Sequence, residues 1–128
     1  MIATTKKRPV HLNLALIHFP APAVMSGAHR ISGVLMIFTL PFFLRLLDLS
    51  LSGAGGFAQA KAMLQSGFAK LAVFLWLWAL SHHFLAGLRY LAMDVDLGVE
   101  LEEARKTAWA VMFAAPVLSL LLTWGIYA

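Results

Sequence analysis

Three long stretches of this chain are almost free of charge, and the polar positions between them fall into clusters. The first stretch opens near Ser26, runs uncharged from Ile31 to Leu44, and meets Arg45 and Asp48 near its far end. Counted from Ser26 to Leu49 it is long enough to cross a bilayer, for which a helix needs about 20 residues. Arg45 can extend its stem to the far headgroups. Leu71 to Leu88 forms the second stretch, with no Asp, Glu, Lys or Arg but with His82 and His83. Thr107 to Ala128 forms the third. This pattern predicts an N-terminal arm over residues 1–25, then spanning helices over about 26–49, 70–93 and 107–128. Pro116 is expected to bend the last helix without stopping it.

The connections follow the same logic. Gly53-Ala54-Gly55-Gly56 is a flexible breaker, and Phe57, Met63, Leu64 and Phe68 then recur at roughly helical spacing beside Gln59, Lys61 and Gln65. Residues 57–68 therefore read as a short helix lying along the membrane surface. Asp94 to Lys106 holds five of the six acids, together with Arg105 and Lys106, and reads as a solvated connection.

Composition narrows the class. Hydrophobic residues make up 61% of the chain and charged ones 12%, against about 45–50% and about 25% in ordinary soluble domains. The expected fold is all-α and integral to the membrane, a single domain of three spanning helices. Cysteine is absent, so disulfides, thiolate haem ligation and cysteine-held iron–sulfur clusters cannot come from this chain. The net charge of +4 points, in so apolar a chain, to lipid headgroups or acidic cofactor groups and not to nucleic acid. No apolar run of signal-peptide length follows Lys6, Lys7 and Arg8, so a cleaved leader is not expected. If the N-terminus and the second connection share a side, that side carries Lys6, Lys7, Arg8, Arg30, Arg89, Arg105 and Lys106, against Arg45, Lys61 and Lys70 opposite. The positive-inside rule then puts the N-terminus in the cytoplasm and the C-terminus in the periplasm. Trp109 at one level and Trp124 with Tyr127 at the other resemble aromatic belts, whereas Trp76 and Trp78 read as packing residues.

Ionisable groups at membrane depth are costly and usually face protein, cofactor or water. Ser26 and Arg30 are four residues apart, hence on one helical face, with His29 beside them. On the second helix His83, Gly87, Tyr90 and Asp94 make one stripe, with Arg89 adjacent. At about 1.5 Å per residue, His83 lies roughly 9 Å deeper than Arg89. A neutral imidazole below a cation suits a haem, the nitrogen ligating iron and the cation pairing with propionates. Gly87 would let a flat macrocycle approach the helix. Spacing does not choose between His82 and His83, and hydrogen-bonded packing or a proton pathway are competing readings of the pair. Arg30 and Arg89 also suit plain headgroup contact, and Ser26 suits a helix cap. His11 and His18 read as surface or partner contacts.

The blocks Arg8-Pro9-Val10-His11-Leu12, Ser26-Gly27-Ala28-His29-Arg30-Ile31-Ser32-Gly33-Val34 and His83-Phe84-Leu85-Ala86-Gly87-Leu88-Arg89, with Asp94 five residues on, resemble the cytochrome b556 membrane-anchor subunits of succinate dehydrogenase, respiratory complex II. The resemblance covers nearly the whole chain. It implies haem b with His83 as axial ligand, the other axial histidine coming from a second small anchor subunit. It implies that His29 and Arg30 lie near the propionates, that Ser26 and Arg30 serve the ubiquinone site, and that the partners are iron–sulfur and flavoprotein subunits in a bacterial inner membrane. The chain would not oxidise succinate itself. Two positions depart from many relatives: Tyr90 stands where they carry histidine, and the arm lacks their Ser-Pro form. A haem-free structural anchor, a small proton-conducting subunit and a fumarate reductase anchor are the competing functions.

Overall fold

The computed structural model describes residues 16–128. The block Arg8 to Leu12 and the cations Lys6, Lys7 and Arg8 lie outside the described residues. Four helices follow in order: α1 (Ala21–Leu51), α2 (Ala54–Leu64), α3 (Gly67–Asp94) and α4 (Leu101–Tyr127). By length and composition α1, α3 and α4 can each cross a membrane.

Local chemistry explains where each helix begins and ends. α1 starts five residues ahead of Ser26 because Pro20-Ala21-Pro22 is a ready helix entry. The extended Pro20 presents its carbonyl to the N–H groups of Ala23 and Val24 at 2.9 and 3.2 Å, and Pro22 sits in the first turn, where no N–H is needed. At the other end Gly53 takes a φ of 109°, left-handed backbone that glycine tolerates, and the chain folds back into α2. Gly56 then packs so closely that a methyl group there would run into the Leu49 carbonyl oxygen and the Ser52 hydroxyl. Gly56→Ala is expected to destabilise the protein by about 1–3 kcal/mol, measurable as a lowered thermal midpoint in detergent. An unchanged midpoint would contradict this packing.

α3 is capped by Ser66, whose Oγ accepts from the Ala69 N–H at 3.1 Å. Its far end closes with the Leu97 N–H donating to the Ala92 carbonyl and the Asp96 N–H to that of Met93, while Asp96 adopts a φ of 61°. That is a Schellman motif. α4 begins six residues before Thr107, so part of the connection expected to be solvated loop is helical. Glu102 and Glu103 occupy its first turn, where the helix dipole favours acids, and exposed Lys106 reaches them at 2.9 and 3.1 Å. α1 continues through Pro41 and α4 through Pro116.

Packing inverts the pattern of a soluble protein. The interior holds small residues, among them Ala79, Ala86, Ala104, Ala108, Ala115 and Ser119, while leucines, phenylalanines and isoleucines point outward. Lipid is as apolar as leucine, so helices in a bilayer gain little by hiding large side chains and associate through close backbone approach over small ones. α3 lies against both α1 and α4. Ala104, Ala108, Val111, Ala115 and Ser119 form one buried stripe along α4. Met25 of α1 fills the gap between Ala86 of α3 and Ala108 and Val111 of α4. Toward the other end Trp76 Nε1 donates to Thr39 Oγ1 at 3.0 Å and its ring packs on Phe43. The Tyr127 hydroxyl donates to the Leu64 carbonyl at 3.0 Å, tying the end of α4 to α2.

Candidate functional site

The neighbouring histidines of α3 point in different directions because successive helical residues are rotated by about 100°. His82 is buried, 2% exposed, and its Nε2 lies 3.2 Å from the Met25 carbonyl of α1. A carbonyl only accepts, so this nitrogen carries the proton, and the ring is occupied in helix packing. His83, partly buried, turns toward a different part of α1. Its Nδ1 is 3.1 Å from the His29 carbonyl and 3.1 Å from Ser32 Oγ. The Ser32 hydroxyl already donates to the His29 carbonyl at 2.7 Å. With the serine proton committed, Nδ1 must be the donor, and the neutral ring keeps its lone pair on Nε2. Among the described residues no hydrogen bond reaches that atom.

Four further residues shape this spot. A methyl group on Gly33 would stand 3.0 Å from His83 Cε1, so the absence of a side chain makes room for the imidazole. The His29 ring stacks on the His83 ring at 4.1 Å between centroids and 18° between planes. Tyr90 sits 5.3 Å from His29, ring to ring. One turn beyond His83, a methyl group on Gly87 would meet nothing within 4 Å, which leaves that face of α3 open. An imidazole held through Nδ1 with Nε2 free, beside an open glycine face, matches what an axial haem ligand needs. Among the described residues no three His, Asp or Glu side chains converge, so a bare metal ion has no cage here.

Ser26 and Arg30 lie on the same end of the bundle. Ser26 is well inside α1, with Pro20 in the cap position, and the helix-cap reading of Ser26 is thereby corrected. Arg30 is exposed and has no acidic partner among the described residues. Arg89 is held inside the bundle. It is 8% exposed, with Nε donating to Thr107 Oγ1 and an Nη to the Ala104 carbonyl, each at 2.9 Å. The guanidinium joins α3 to the start of α4 and lies 5.8 Å from the centre of the Tyr90 ring. Its fork of rigid donors matches one hydroxyl and one carbonyl on successive turns. Asp94 is exposed at the end of the same helix, and His18 is exposed ahead of α1. His11 lies outside the described residues.

Ser32 and Gly33 escaped the reading of single residues, although both stand inside the motif block. The available signal was their spacing: Ser32 is one turn from His29, on the side of α1 that a facing histidine would meet. An apolar hollow of about 480 Å³, lined by Phe43, Leu47, Phe57, Lys61 and Tyr127 among others, sits at the far end of the bundle and holds none of these groups.

Residues 4–122 match the family described as succinate dehydrogenase/fumarate reductase transmembrane subunit. The chain is 38% identical over 122 residues to the succinate dehydrogenase cytochrome b556 subunit of Coxiella burnetii, covering 92% of this chain and 98% of that one. It is 31% identical to the cytochrome b556 subunit of Paracoccus denitrificans, over 89% of this chain and 88% of the relative. It is likewise 31% identical to the cytochrome b560 subunit of Reclinomonas americana, over 94% and 86%. With three apolar helices in the expected order and a match over most of its length, the chain belongs to the succinate dehydrogenase/fumarate reductase transmembrane subunit family and is a multi-pass membrane protein.

Proposed function

We propose that this chain is the cytochrome b anchor of a succinate dehydrogenase. In that role His83 Nε2 would hold haem b, a second small anchor subunit would supply the other histidine, and Ser26 and Arg30 would contribute to the site where ubiquinone is reduced. The observation that carries the reading is the pinned Nδ1 of His83, which leaves its Nε2 without a hydrogen bond among the described residues, one turn from the open face at Gly87, whereas His82 spends its Nε2 on the Met25 carbonyl. When bound, haem b supplies a one-electron centre between the two anchors. His29 and Arg30, at the shallow end of α1, would meet its propionates. The relatives named above are all succinate dehydrogenase subunits, which favours succinate oxidation over fumarate reduction.

Each residue of the quinone site has a distinct task. The Ser26 hydroxyl donates a hydrogen bond to a quinone carbonyl oxygen, and exposed Arg30, without an acidic partner among the described residues, stabilises the negative charge that builds on that oxygen as electrons arrive singly from the iron–sulfur subunit. Protons come from water at the same face. Arg30, Arg105 and Lys106 gather at this end of the bundle, which favours a cytoplasmic N-terminus and a periplasmic C-terminus in a bacterial inner membrane.

The test is to purify the complex with its flavoprotein, iron–sulfur and second anchor subunits. Ser26→Ala and Arg30→Ala are each expected to lower succinate:ubiquinone turnover by roughly tenfold or more, the scale of losing one preorganised charge-stabilising donor. The reduced b-type absorption should be retained. Normal turnover in both variants would remove the quinone site, and a wild-type complex without b-type bands would remove the haem.

A further inference from the structure

Ser32 is wholly buried, and the quinone and haem roles above leave it without a task. Its hydroxyl sits between two groups: it donates to the His29 carbonyl at 2.7 Å and faces His83 Nδ1 at 3.1 Å. The His29 carbonyl is also 3.1 Å from Nδ1. Gly33, the next residue, leaves just enough space for the ring edge, with Cε1 3.0 Å from where a methyl group would stand. One turn of α1 therefore supplies two acceptors and a steric stop for a single imidazole on α3.

We infer that Ser32 and Gly33 form a positioning seat that fixes the tautomer and rotation of His83 and sets the electron affinity of the iron it ligates. This inference rests on the proposal that His83 is an axial ligand. Donation of the Nδ1 proton to an acceptor makes the far nitrogen more basic. A more basic ligand stabilises the oxidised iron and holds the midpoint potential down. The hydroxyl is a better acceptor because its own proton is already given to the His29 carbonyl, a cooperative chain within a low-dielectric setting. Without it, Nδ1 retains only the backbone oxygen, and the potential rises. Gly33 contributes by shape: any side chain there displaces the ring by a few tenths of an ångström or turns it.

The experiment is a redox titration of the haem in the purified four-subunit complex, paired with electron paramagnetic resonance of the oxidised haem. Ser32→Ala is expected to retain haem and to raise the ratio of reduced to oxidised haem, at a fixed ambient potential, by roughly tenfold, within the range of second-shell effects. Ser32→Cys, of similar size but a weaker acceptor, is expected to shift it in the same direction by less, and carries the test if the alanine variant does not assemble. Gly33→Ala is expected to change the g-values of the oxidised haem, since these report axial-ring orientation. Unchanged potential in the Ser32 variants with haem retained overturns the inference about Ser32, and unchanged g-values in Gly33→Ala overturn it for Gly33. Absence of haem from the wild-type complex fails the underlying reading instead.

Discussion

His83→Ala is expected to strip the assembled complex of most of its haem, while His82→Ala leaves haem content near normal. The two residues are adjacent in sequence and chemically identical, so the contrast isolates geometry. His82 gives its Nε2 proton to the Met25 carbonyl in the interior, and its loss removes one buried hydrogen bond and some packing, about 1–3 kcal/mol. His83 has its Nδ1 committed to α1 and, among the described residues, no hydrogen bond on Nε2, so on the proposed reading its loss deletes the metal ligand outright. Outer-shell partners alone change metal affinity by about 10–100-fold, and a direct ligand should matter at least as much. The measurement is the reduced-minus-oxidised difference spectrum normalised to protein, with thermal stability followed in parallel. Equal haem loss in the two variants, or loss in His82→Ala alone, would reverse the assignment of roles.

Arg89→Ala is expected to produce the largest loss of stability among single substitutions on α3, without acting through His83. The guanidinium makes two hydrogen bonds at 2.9 Å to the first turns of α4 and is nearly buried. Hydrogen bonds involving a charged group contribute about 1.5–3 kcal/mol each. Because Thr107 also donates to the Glu103 carbonyl, the network partly reorganises, and a total of about 2–4 kcal/mol is the expected cost. Arg89→Lys should recover only part of it, since a single ammonium cannot replace the two-pronged fork. A detergent thermal melt of the complex measures both variants. Were Arg89→Ala as stable as wild type, the link between α3 and α4 would have to lie elsewhere.

Much of the architecture was legible along the chain because the bilayer imposes a simple rule. A span must satisfy its own backbone hydrogen bonds, so each uncharged run of sufficient length becomes a helix. The ends were harder to read. Pro20 and Pro22 extend α1 toward the N-terminus by accepting a role that needs no N–H, and the acids of Glu102 and Glu103 draw α4 back into what charge alone marks as a loop. Charge density reports solvation, not backbone conformation, and a helix emerging from a membrane is both charged and helical.

By itself the sequence determined the membrane setting, the three spans and the family, and its motif blocks singled out His29, Arg30, Ser26 and His83. Only the tertiary structure showed which partners His82 and His83 each meet, turned Arg89 onto α4, and brought Ser32 and Gly33 under the His83 ring. Hydropathy depends on what each residue is, and survives any arrangement of the helices. The direction in which a side chain points, and the carbonyl or hydroxyl it meets, depends on the rotation of one helix against another, and that exists only once the small residues of α1, α3 and α4 have closed the bundle.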